Sequence, residues 1–146
     1  IMPKFQFRLS TVLRVREAAR DQCRLRLAES QRADAELALQ IVRLQETQRR
    51  LQAECRNQAS PGEIDAGRLV EAHQYAETLR EEENTLLEQR TLLAAEIARR
   101  RKALIDADRE VQVLEKLQQR RQQEHRCEEV RNQAKLLDEV AARAAG

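Results

Sequence analysis

The feature that most constrains this chain is where its helix breakers fall. Proline occurs only at Pro3 and Pro61, and glycine only at Gly62, Gly67 and Gly146. Residues 4–60 and 68–145 contain neither. Proline inside a helix removes a backbone hydrogen bond and clashes with the preceding turn, and glycine adds unfolded-state entropy. Long stretches free of both therefore predict two uninterrupted helices, joined near residues 60–67. Composition agrees, since Ala, Glu, Lys, Leu and Arg supply 86 of the 146 residues. A share above about half marks long helices and coiled coils when the periodicity matches. The chain has no Trp, one Tyr and two Phe, so it lacks the aromatic bulk of a globular core. A β-sandwich, an α/β sheet and a conventional enzyme are excluded on these grounds.

The periodicity does match. Steps of three and four residues from Leu69 pass through Ala72, Ala76, Leu79, Glu83, Leu86, Arg90, Leu93, Ile97, Arg100, Leu104, Ala107, Val111 and Leu114. This narrow, mostly apolar stripe has the width of a coiled-coil seam. Helix one has a looser seam through Leu9, Leu13, Arg16, Arg20, Cys23, Leu27, Ser30, Asp34, Leu37, Ile41, Leu44, Gln48, Leu51 and Cys55. Polar residues in its N-terminal half predict weaker packing and more motion there. Ser60-Pro61-Gly62-Glu63 has the chemistry of a capping box, and Asp65 is a second cap for helix two. A short connection favours antiparallel neighbours. The predicted fold class is all-α, a single antiparallel coiled-coil hairpin over residues 1–146. Helix one covers about 8–59, the connection about 60–65 and helix two about 61–144.

Helices of these lengths span about 78 Å and about 125 Å. A hairpin centred near residue 61 sets Leu9 beside residue 113, and helix two projects past its partner by about 30 residues. The seam phase also changes there. A new stripe runs through Cys127, Val130, Ala134, Leu137, Ala141 and Ala144. It is predicted to pack not on helix one but on a partner protein, a second copy or the N-terminal segment.

Net charge is only +2, yet residues 1–28 carry +5 and residues 60–98 carry −6. The predicted open end is basic and the loop end acidic, which suits steering toward an acidic partner. Arg99-Arg100-Arg101-Lys102 is followed by Asp106, Asp108 and Glu110 without aromatic interleaving, so no nucleic-acid partner is expected. No run approaches the length of a membrane span and Met2–Arg8 lacks a signal-peptide core, so direct membrane insertion is not expected. Cys23, Cys55 and Cys127 are odd in number and widely spaced, as in a reduced cytoplasmic protein. No phosphate loop, catalytic constellation or metal-ligand spacing occurs. His73 and His125 lie far apart, and His125 and Cys127 fall on different helix faces. No enzyme activity, cofactor or metal is predicted.

Three segments stand out along the chain. They are Phe5-x-Phe7-x-Leu9 with Val12-Leu13-x-Val15-Arg16, then Arg68-Leu69 with Tyr75 and Leu79. The third joins Val111-x-Val113-Leu114-Glu115-Lys116-Leu117 to Gln133-x-Lys135-x-x-Asp138-Glu139-x-Ala141. In order and spacing, over nearly the whole chain, they resemble the FliJ family of flagellar export proteins. The resemblance implies a stalk-like coiled coil of the flagellar type III export apparatus. Its implied partners are the hexameric export ATPase, the export-gate membrane protein and export chaperones. Its implied place is cytoplasmic, peripheral to the inner membrane at the flagellar base. The stalk of a virulence-type injectisome shares this architecture, and a generic scaffold or homodimer is a third reading. By the resemblance, Tyr75 and Leu79 are the export-gate contact. The expected ATPase or partner contacts are Phe5, Phe7, Arg99, Arg100, Arg101, Lys102, Cys127, Val130 and Leu137. Phe5 and Phe7 have an alternative use in pinning the N-terminus onto helix two.

Overall fold

A computed structural model of the chain describes residues 3–58 and 65–146. It contains two helices, α1 (Ser10–Gln58, 49 residues) and α2 (Ala66–Ala145, 80 residues). The stretches free of Gly and Pro form the helices, as expected. The Ser60–Glu63 capping box and the rest of the connection at 59–64 lie outside the described residues. Asp65 caps α2: its Oδ1 accepts a hydrogen bond from the Gly67 amide at 3.0 Å, and its carbonyl accepts the first helical bond from Leu69. A side-chain oxygen at this position satisfies one of the amides that the first helical turn leaves unpaired. At the start of α1 the Leu9 carbonyl takes the same role, accepting from the Leu13 amide at 2.8 Å.

The contacts divide the chain into two compact units. One comprises Ile1–Arg24 with Ala103–Gly146, and the other Leu25–Lys102. Within each unit α1 and α2 run antiparallel. In the unit 25–102, Gln45 and Gln48 donate to the two carboxylate oxygens of Glu83 at 3.2 and 2.9 Å. Asp34 accepts from Arg90 at 2.9 Å, and the Arg26 carbonyl accepts from Arg100. In the other unit Arg16 pairs with Glu110 at 3.0 Å, and His125 meets the Pro3 carbonyl at 3.2 Å.

The seam residues named from sequence face inward with few exceptions. In α2 all are buried or half-buried except Leu69 and Arg90. Leu69 is 51% exposed because it stands in the first turn of α2, beyond the last α1 seam residue, Cys55. Arg90 instead reaches across to Asp34, and that hydrogen bond with the carboxylate charge raises the guanidinium pKa further. The polar seam residues of α1 are matched too. Ser30 is 3% exposed, and its hydroxyl donates to the Leu27 carbonyl at 2.8 Å. Among the described residues the buried apolar side chains are Leu13, Ile41, Leu79 and Val111. A two-helix seam is one residue deep, so it buries one ridge of side chains and leaves their neighbours half-exposed.

The register differs from the length arithmetic. Leu9 lines a groove with Leu117, about one turn further along α2 than the expected neighbourhood of residue 113. Residues 3–9 continue beyond α1 as a non-helical arm along α2, as far as Glu124, His125 and Glu128. Extended chain advances about 3.3 Å per residue against about 1.5 Å for helix, so a few arm residues cover two turns of α2. α2 projects past the start of α1, as predicted, and the arm covers the part of that projection as far as Glu128. The seam phase does not switch at Leu114 either. Of the positions the original phase gives, Gln118 and His125 are half-buried and Arg121 is exposed; Glu129 and Asn132 are half-buried further on, while the apolar stripe from Cys127 faces elsewhere. Apolar character and inward position part company here because the covering element is a short arm, which polar side chains can receive.

Candidate functional site

The residues singled out from sequence fall on three surfaces. The first is early in α2, within the unit 25–102. Leu79 is 4% exposed and belongs to the core, whereas Tyr75 is 49% exposed. One helical turn separates them, but the seam passes through Ala72, Ala76 and Leu79, which places Tyr75 beside it. Tyr75 thus presents an apolar ring and a hydroxyl to solvent. An exposed aromatic supplies large contact area at low entropic cost, the usual property of an interface anchor.

The second surface is the basic run at the end of that unit. Arg99 and Arg100 are not free cations. Both clamp Glu96, Arg99 at 2.6 Å and Arg100 at 2.9 Å, and Arg100 also donates to the Arg26 carbonyl. Hydrogen bonds from Arg99, then Arg100, hold the Glu96 carboxyl below the usual carboxylate range. Arg101 and Lys102 are exposed and make no ion pair among the described residues. The run therefore leaves Arg101 and Lys102 as its charges outside ion pairs among the described residues.

The third surface belongs to the other unit. Phe5 and Phe7 are half-buried in a groove formed with Leu9, Leu117, Arg121, Glu124, His125 and Glu128. The Phe5 ring meets the His125 imidazole with centroids 5.7 Å apart and planes tilted at 58°. A tilted aromatic pair places a ring edge toward a ring face, and such pairs contribute about 0.5–1.5 kcal/mol beyond burial. The arm is thus pinned onto α2 at two points, by ring contact and by the Pro3 carbonyl. Phe5→Ala is expected to release it. Trypsin should then cut after Lys4 and Arg8 faster than in the parent chain while helical circular dichroism stays unchanged; equal cleavage rates would refute the pinning.

Past the arm, Cys127, Val130 and Leu137 are exposed, Val130 at 65% and Leu137 at 70%. Leu136 and Val140, which the sequence reading missed, are exposed as well. Their signal was present: they continue the phase of His125, Glu129 and Asn132 rather than that of Val130. The unit holding these residues carries a net charge of +3, and the unit 25–102 a net −1. The basic excess of the first comes from its α1 side.

Cys23 and Cys55 are half-buried and Cys127 exposed, all three as free thiols. No three His, Cys, Asp or Glu side chains converge as a metal site among the described residues. No described helix is long and apolar enough to cross a membrane.

Comparison with known proteins gives one result. The family model described as the flagellar FliJ protein matches residues 5–146. No curated protein and no solved structure matches the chain. The matched span begins at Phe5, takes in the arm, both helices and the exposed end of α2, and stops only at the last residue. A two-helix antiparallel coiled coil with that coverage settles the family: the chain belongs to the FliJ family of flagellar export proteins.

Proposed function

We propose that this chain is the stalk-like component that engages the hexameric export ATPase, the export gate and the export chaperones. It carries no catalytic site of its own and works in the cytoplasm, against the inner membrane at the flagellar base. The observation that carries this reading is the family match over residues 5–146 on a coiled coil of two unequal helices. The family is flagellar, which favours the flagellar apparatus over an injectisome.

The surfaces supply a division of labour. The exposed end of α2, with Cys127, Val130 and Leu137, faces the ATPase. Phe5, Phe7 and the run Arg99–Lys102 add to that contact, with Arg101 and Lys102 as the charges left for it. Tyr75 contacts the export gate, and Leu79 fixes the helix beneath it. A basic surplus near the ATPase-facing end speeds encounter with an acidic surface, an effect that salt weakens.

ATP hydrolysis by the cognate hexamer, measured with and without this chain, tests the reading. Turnover should rise with added chain, and the rise should shrink when Val130 and Leu137 are both changed to Asp. Absence of both stimulation and co-purification would sink the proposal.

A further inference from the structure

The last five turns of α2 carry an apolar stripe that the described residues of this chain leave uncovered. Val130 and Leu137 are its large members, 65% and 70% exposed. Cys127, Ala134, Ala141 and Ala144 complete it, all exposed. The spacing alternates three and four from end to end, the pattern of a coiled-coil seam. The stripe also points away from the face that receives the arm, where His125 and Glu129 are half-buried. Extending the arm would therefore not cover it.

The stripe is self-complementary under a twofold axis between Lys135 and Leu136. Reversing a second copy about that axis sets Cys127 against Ala144, Val130 against Ala141, and Ala134 against Leu137. Every larger residue then meets an alanine, which lets two helices approach at the short end of the usual 8–10 Å. The flanking charges choose the same arrangement. Arg131 and Asp138 border the stripe on one side, both exposed and without an ion pair among the described residues. Antiparallel pairing puts Arg131 of each copy against Asp138 of the other, twice by symmetry. Parallel pairing would instead set Arg126 against Arg131, a like-charge contact. We propose that two copies of this chain pair antiparallel through residues 127–144 of α2.

A seam of this length, about 27 Å, supports a weak, concentration-dependent dimer. It also covers Val130 and Leu137. If the ATPase contact proposed above is correct, the dimer and the ATPase-bound chain exclude each other. That consequence rests on the functional reading, but the dimer itself does not.

Sedimentation velocity of the full chain over a concentration series tests the pairing. Arg131→Asp or Asp138→Arg alone should weaken the dimer about tenfold, and the double variant should restore it. Circular dichroism should show equal helicity in all three. Ala144→Cys supplies a second reading. Mild oxidation with oxidised glutathione should then join Cys127 of one copy to position 144 of the other, a linkage mapped by mass spectrometry. A chain sedimenting at single-chain mass up to its solubility limit overturns the proposal and leaves the stripe to a different protein. A Cys127–Cys127 linkage in the parent chain overturns it in favour of parallel pairing. A dimer that persists when Val130 and Leu137 are both changed to Asp uses another surface and overturns it too.

Discussion

Val111→Asp is expected to unfold the coiled coil of the unit formed by residues 1–24 and 103–146. Val111 is the one side chain among the described residues that is fully buried, at 0% exposure. It lies beside the Arg16–Glu110 pair, where α1 and α2 are in direct contact. A carboxylate there gains no inward partner, and an uncompensated buried charge costs about 4 kcal/mol. Among its described residues that unit has only Leu13 as a second buried apolar residue, so little remains to absorb the loss. Val111→Ala removes two methyl groups and should cost about 2 kcal/mol. Thermal melts followed by circular dichroism, with amide exchange to locate the loss, separate the two. If the Asp and Ala variants melted together, Val111 would not be core.

The second large effect divides Tyr75 from Leu79. Leu79→Ala should destabilise the unit 25–102 by about 3 kcal/mol, because truncating a buried leucine loses transfer energy and leaves a cavity. Tyr75→Ala should leave stability within about 0.5 kcal/mol, since alanine is the better helix former and the ring is half in solvent. Binding is expected to respond in the opposite sense. Loss of an anchoring aromatic should weaken association with the export gate about thirtyfold, and a strain carrying Tyr75→Ala as its only copy should swim poorly. Wild-type gate binding and motility would remove Tyr75 from the contact. A collapse of helicity would show that Tyr75 packs inside and that the exposed placement is wrong.

These two expectations show where sequence and structure parted. Leu79 and Val111 both fell on the α2 seam by counting threes and fours, and both are buried. From its charge the basic run Arg99–Lys102 reads as a partner contact. The structure ties Arg99 and Arg100 to Glu96 at spacings of three and four, which leaves Arg101 and Lys102 for that contact. Ser30 and Asp34 looked like weak points in the α1 seam. Ser30 meets the Leu27 carbonyl and Asp34 meets Arg90 across the seam. The second partner lies 56 residues away in the chain, beyond the reach of any local pattern.

What the sequence determined by itself is therefore local: two helices, their unequal lengths, and the stripe along which they meet. Breakers and periodicity act within a few residues, so they can be read without a partner. The tertiary structure alone decided the register, the course of the arm, and which face at the end of α2 is covered. A heptad seam fits its partner almost as well after a shift of seven residues, so periodicity cannot choose the alignment. Contacts such as Arg16 with Glu110 and Phe5 with His125 accompany one alignment and not its neighbours. They join residues about a hundred positions apart, and only the folded chain brings them together.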